Sequence, residues 1–199
     1  MEKKDVIFAG VCGFAVAWIG LDLFGKYARG FGWIFFIVLP ILSIFGLWIA
    51  ELIATLRLRS GQEKLLFVKQ IAKFSLAGGF ADVFDIKTFQ ILFWLAPVSA
   101  ELSLIYKAIS FLVGTFVKYF SDKYWTFGKR ETAGMHKEMA KFFFIAIIGS
   151  LLNIASFYFF VKIKTGLPQK DWQEISNILA ALTAATWNFC GYKFIVFKK

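Results

Sequence analysis

The stretch GFGWIFFIVLPILSIFGLWIA (residues 30–50) decides the fold class. It runs 21 residues without a charge. About 20 apolar residues at 1.5 Å each cover the hydrocarbon core of a bilayer. Two further runs have the same character, Phe142–Val161 with 20 residues and Ile175–Tyr192 with 18. Val6–Phe24 is a fourth, charge-free until Asp22. Lys3 and Lys4 ahead of it, with Ala15-Val16-Ala17 inside it, mimic a signal peptide; the segment is read here as a retained span. Phe74–Trp94 and Leu102–Phe120 complete the set, although Asp82, Asp85 and Lys87 interrupt the first, and Lys107 and Lys118 the second. The short link Leu95–Glu101, with Pro97, makes these two an antiparallel hairpin.

The remaining composition agrees. The 199-residue chain is 59% hydrophobic, with 26 Phe and a mean hydropathy of +0.66. A soluble domain is about 45–50% apolar, and a core this small cannot bury the excess. The net charge is +10, but no basic patch lies on a soluble face, so nucleic acid is not an expected partner. Cys12 and Cys190 lie in separate apolar runs, and the single histidine, His136, in a charged segment. That pattern supports no metal site, disulfide or cofactor. No nucleophile–base pair or nucleotide fingerprint is present, so the chain reads as a non-enzyme.

Together these features predict an all-α polytopic membrane bundle of about six transmembrane helices. Lys and Arg fall unevenly across its loops. Sixteen lie at the two termini and in the loops after spans two and four, and five lie on the other side. The positive-inside rule then places both termini in the cytoplasm. Ser60 and Gly61 suggest a division into a two-span extension, residues 1–60, and a four-span domain, residues 61–199. Lys64–Lys73, with its basic and apolar mixture, suits either a short interfacial helix or a plain linker.

The last four spans carry a weak duplication. IAKFSLAGGFADVFDIKTF (71–89) aligns with MAKFFFIAIIGSLLNIASF (139–157), placing Asp85 on Asn153. KYFSDKYWTF (118–127) aligns with NFCGYKFIVF (188–197), placing Lys118 on Asn188 and Lys123 on Lys193. The two hairpins read as a parallel repeat, each beginning on the same side.

These residues resemble the GtrA-like family of small membrane proteins. The resemblance covers about Lys69–Lys199. It rests on the AKF opening, Gly78-Gly79 followed by Asp85, DKYWTF (122–127) and the ending WNFCGYKFIVF (187–197). Asp122 and Tyr192 stand where that family usually shows Asn, and Lys118 where it shows Asn or Ser. The resemblance implies cell-envelope polysaccharide synthesis and polyprenyl-phosphate-linked sugars. Its usual implication is a flippase, or translocase, of the lipid-linked sugar across the cytoplasmic membrane. The rival is a scaffold that recruits or anchors a membrane-associated glycosyltransferase. A small proton-coupled exporter is a third reading, since such transporters also use an intramembrane carboxylate. Membrane lipid is a further partner, and a homo-oligomer stays open.

An ionisable group at mid-bilayer costs at least about 2.5–3.5 kcal/mol, which makes it a candidate for function. Asp82 and Asp85 share a helix face and suit sugar hydroxyls or a proton. Their bland alternative is an ion-pair network in which Asp85 or Glu101 meets Lys87 or Lys107. Lys118, Lys123, Asn188 and Lys193 lie near the inner headgroups, where a phosphate would arrive. For these the alternative is loop charge snorkelling to anionic lipid. Asn153 supplies a polar counterpart to Asp85. Tyr119, Tyr124 and Trp125 read as an aromatic belt, and Gly78-Gly79 as a packing notch. Asp171 and Glu174 can form a capping box for span six.

The orientation is directly testable. A cysteine at Gln169 is expected to react with an impermeant maleimide in intact cells, and one at Ser60 to be protected. The opposite pattern would invert the topology.

Overall fold

The computed structural model describes residues 1–24, 32–57, 62–95, 100–163, 166 and 168–198, with side chains except at 22–24, 54, 56–57, 62–65 and 100–102. Among the described residues there are six long helices: α1 (Lys3–Phe24), α2 (Phe35–Arg57), α3 (Gln62–Leu95), α4 (Ala100–Ser121), α5 (Met135–Val161) and α6 (Gln169–Gly191). No strand occurs among the described residues. The stretches Lys3–Leu21, Gly32–Ile53, Ser103–Thr126 and Met135–Val161 are long and apolar enough to cross a membrane. α3 and α6, at 34 and 23 residues, have the length as well. Their polar residues lower their hydropathy, and each is the hairpin partner of a more apolar helix, α4 or α5. The protein is an all-α polytopic membrane bundle.

Two compact units divide the chain at Gly128. The expected boundary at 60/61 lies outside the described residues, as does most of the Pro97 link.

In the first unit, residues 1–128, α1 and α2 form an antiparallel hairpin. Gly13 is what lets them close: a Cβ there would sit 2.5 Å from Pro40 Cα and 2.6 Å from the Leu39 carbonyl oxygen. Small residues at such crossings are how membrane helices gain packing energy, because lipid supplies no hydrophobic drive between them. α1 runs parallel to α3, as Asp5–Lys73 at 2.6 Å, Phe8–Phe80 at 5.6 Å and Lys87 over Trp18 at 4.8 Å successively show. α4 returns antiparallel along α3, with Gly114 against the Ala81 carbonyl and Asp85. Ala9, Cys12, Leu47, Ala77 and Trp125 form the buried cluster of this unit. Outward-facing side chains such as Ile7, Trp18, Ile41 and Leu104 are exposed, which is a surface made for lipid.

The second unit, residues 129–199, is the hairpin of α5 and α6. Trp187 Nε1 donates to the Ile145 carbonyl at 3.2 Å, and Trp172 Nε1 to the Phe160 carbonyl at 3.0 Å. Phe142 stacks on Tyr192 with centroids 3.8 Å apart.

The duplication is visible in the backbone. α4 and α6 each pass into one turn of π-helix, Asp122–Thr126 and Tyr192–Val196. Each turn is closed by the same bond, Phe127 N–H to the Asp122 carbonyl at 2.8 Å and Phe197 N–H to the Tyr192 carbonyl at 2.7 Å. These are the residues that the alignment superposes.

Three expectations need correction. Residues 64–73 are not a separate interfacial helix; they are the first turns of α3, because no Gly or Pro interrupts the chain there. Asp171 does not cap α6, which starts two residues earlier, after Pro168, with no side-chain cap. The Asp171 carboxylate lies in the first turn, where the helix dipole favours it. Tyr119 and Trp125 are not belt residues: both are buried, and only Tyr124 is exposed.

Candidate functional site

Phe74, Gly78, Asp82 and Asp85 recur at helical spacing along one side of α3, and Lys107, Ser110, Gly114 and Lys118 along α4. The antiparallel hairpin brings these two rows together. Toward the end of the hairpin where α3 finishes and α4 begins, Lys107 Nζ donates to both carboxylate oxygens of Asp85, at 2.8 and 2.9 Å. The fully buried Ser110 hydroxyl donates to Asp85 at 2.5 Å. One carboxylate thus accepts from a cation and a hydroxyl, which is what a charge excluded from water requires. The partner of Asp85 is Lys107; Lys87 lies instead over Trp18. The Glu101 side chain is outside the described residues.

Toward the other end of the hairpin, Lys118 Nζ lies 3.8 Å above the Phe74 ring and 3.4 Å from the Phe74 carbonyl oxygen, which accepts from it. Gly78 lies beneath the same ammonium, where a Cβ would meet Lys118 Nζ at an ordinary contact distance of 3.5 Å. Gly79 faces Val16 of α1, where a Cβ would make an ordinary contact at 3.6 Å. Lys118 also lies 3.2 Å from Asp122 Oδ2, within ion-pair range although that oxygen has no hydrogen-bonding geometry to any partner. Thr126 Oγ1 donates to the other oxygen, Oδ1, at 3.0 Å.

Asp122 is wholly buried in the first residue of the π-turn. Sequence reasoning had not placed it in the site. The signal was present, since Asp122 follows Lys118 by four residues, one helical turn.

Asp82 lies between these two levels. It is exposed and within electrostatic reach of Lys118, Asp85 and Lys107, and no described residue donates a hydrogen bond to it. Lys123 is not a snorkelling loop lysine. It is fully buried, donates to the Tyr119 hydroxyl at 3.3 Å and lies 5.6 Å from that ring.

The second unit repeats the pattern with milder chemistry. Lys193 lies 5.8 Å from the Phe189 ring, as Lys123 does from Tyr119. Asn188 takes the place of Lys118 and packs so closely on Gly149 that a Cβ there would overlap its amide. The Asn188 Oδ1 is buried without a hydrogen-bond partner among the described residues. Asn153 lines a cleft farther along the hairpin with Phe157 and residues of α6. Asp82, Asp85, Lys118 and Lys123 therefore belong to one unit, and Asn153, Asn188 and Lys193 to the other. No group of three or more His, Cys, Asp or Glu with metal-binding geometry occurs among the described residues.

A membrane protein of helical hairpins, one of them carrying lysine–carboxylate pairs within it, is the class that this geometry defines. The family model for the GtrA/DPMS transmembrane domain matches residues 73–197, and the chain belongs to that family. The family is associated with glycan precursors and polyprenyl-linked sugars at the membrane and is generally non-catalytic. No curated protein and no solved structure matches the chain. α1, α2 and the first turns of α3 lie outside the matched region.

Asp85 gives the site its first test. Lys107→Met removes the cation and leaves a carboxylate with the Ser110 hydroxyl alone. Interhelical polar contacts in membranes contribute about 1–2 kcal/mol at most. The expected result is a fall in Tm of about 2–8 °C in detergent. An unchanged Tm would show that the pair does not hold the hairpin together.

Proposed function

We propose that this protein translocates polyprenyl-phosphate-linked sugar across the cytoplasmic membrane, with both termini in the cytoplasm. The observation that carries the reading is the polar ladder of the α3–α4 hairpin. It runs from Lys118 and Asp122, through Asp82, to Asp85, Lys107 and Ser110, across about four helical turns of a hairpin that must lie in lipid. Anchoring a protein in a bilayer needs none of these groups, and each charge weakens insertion.

The parts suit the three regions of the substrate. The prenyl tail can remain in lipid. Lys118, near the inner headgroups, offers a cation to the phosphate, with Lys123 and Lys193 adding positive potential. Asp82 and Asp85, with Asn188 and Asn153 as the polar counterparts in the second hairpin, offer acceptors and amides to the sugar. Transport requires two states with different affinities, so the Asp85–Lys107 and Lys118–Asp122 pairs are the contacts that must open in one of them. The chain itself performs no bond chemistry in this reading. Glycosyl transfer belongs to a partner enzyme.

One observation favours a second reading. Asp85 is held by Lys107 through two hydrogen bonds, and a carboxylate consumed by an internal pair serves a scaffold as well as a carrier. In that reading the hairpins dock a glycosyltransferase and transport nothing. The membrane-carboxylate exporter has only Asp82 in its favour.

The experiment compares Asp85→Asn and Lys118→Gln for protein level, association with the glycosyltransferase and sugar at the outer surface. Transport predicts that surface sugar falls at least tenfold while level and association hold. Retention of full surface sugar by both variants would remove the ladder from the mechanism. Loss of sugar only together with association would establish the scaffold.

A further inference from the structure

α5 is apolar from Phe142 to Val161 except for Ser150, Asn153 and Ser156. Asn153 lies eight residues before the end of the helix, about 12 Å along the axis. Opposite it, α6 has been running for only two turns. A cleft of about 450 Å³ opens between them, lined by Asn153, Phe157, Lys170, Gln173, Glu174 and Asn177. That volume lies within the usual small-molecule range of about 300–1,000 Å³.

The lining has a particular chemistry. Lys170, Gln173, Glu174 and Asn177 fall at positions i, i+3, i+4 and i+7, so they share one exposed flank of α6, beside the buried Ser176 and Ala180. None of them, nor Asn153, makes a side-chain hydrogen bond or ion pair with another described residue. Five polar side chains, four of them exposed, thus line one cleft with their donors and acceptors unspent among the described residues. Three are amides, each able to donate and accept at once, which matches the alternating demand of neighbouring hydroxyls on a ring. The one cation, Lys170, is followed one turn later by Glu174, so the cleft carries no net charge for an anion to seek. Phe157 and Ile154 supply an apolar wall of the kind that receives the C–H face of a pyranose.

We propose that this cleft at the link-proximal end of the α5–α6 hairpin is a binding site for the neutral pyranose ring of a lipid-linked sugar. It rests on the translocation reading, and deepens it by giving the sugar a receiving site separate from the charged α3–α4 ladder. The positive-inside orientation puts this end of the hairpin on the non-cytoplasmic side. The sugar would therefore dock here after crossing, while its phosphate and tail remain at the headgroups.

The test uses the full-length protein in detergent micelles and saturation-transfer NMR with the methyl glycosides of glucose, galactose and mannose. At least one neutral glycoside is expected to bind. Its Kd should rise at least tenfold in Asn153→Leu/Asn177→Leu, and in Ile154→Trp, which fills the cleft from its lipid-exposed wall and leaves the amides intact. Inorganic phosphate at the same concentration should not compete. Absence of binding by every glycoside, or equal binding by the wild type and both variants, would overturn the site. Competition by inorganic phosphate would overturn its assignment to a neutral ring. The outcomes separate from those of the translocation reading. Glycoside binding lost in the variants establishes the cleft even if no lipid-linked sugar crosses a membrane. Surface sugar undiminished in both variants would refute the cleft as a station on the path and leave translocation standing.

Discussion

A charge inside a bilayer must find its partners within the protein, and this constraint shapes the α3–α4 hairpin. Asp85 receives Lys107 and Ser110, and Asp122 receives Lys118 and Thr126. Each arrangement joins a carboxylate to a lysine and a hydroxyl. The Asp85–Lys107 pair also sets the register of the hairpin, because sliding one helix by a turn would part its two charges, whereas Lys118 and Asp122 lie one turn apart on the same helix. Gly114 serves the same end by clearing the space that Asp85 and the Ala81 carbonyl occupy. A parallel device joins α1 to α3, where the buried Asp5 accepts from Lys73 at 2.6 Å and from Trp125 Nε1 at 3.0 Å. Trp125 belongs to the π-turn, so this contact ties the end of the α3–α4 hairpin to the extra N-terminal helix.

The two hairpins share a backbone but not a charge pattern. Both close on a π-turn, and both bury the first residue of that turn, Asp122 in one and Tyr192 in the other. Where the first stacks Phe74 beneath a lysine, the second stacks Phe142 beneath Tyr192. The charged member thus carries the cation and carboxylates, and the neutral member carries amides and an open cleft. A duplicated unit that diverges in this way keeps its backbone and acquires two different sets of polar groups.

Apolar run length made the helices legible, since 18 or more uncharged residues have few other uses. The Asp85–Lys107 contact was legible as one of a few pairings, because a short link forces α3 and α4 to run antiparallel. The shared endings at 118–127 and 188–197 marked the repeat, and their common π-turn explains why those positions align. Other features were hidden. Tyr119 and Trp125 are buried, yet composition cannot separate a belt aromatic from a core one when both flank the headgroups. Lys123 looked like loop charge because nothing in its neighbours announces that the helix continues as a π-turn and folds it inward. The cleft was invisible for a similar reason. Lys170 to Glu174 read as polar residues ahead of a span, whereas α6 begins at Gln169 and carries them alongside Asn153.

The central claim is that the bundle moves a lipid-linked sugar rather than holding an enzyme in place. Purified protein reconstituted alone into liposomes, with a defined polyprenyl-phosphate sugar present in the inner leaflet only, addresses it most directly. The quantity to follow is the sugar accessible to a membrane-impermeant glycosidase outside. The account predicts accessibility that rises with time and with the amount of protein, and that falls in Asp85→Asn. A rate equal to that of protein-free liposomes, from folded and correctly inserted protein, would contradict it.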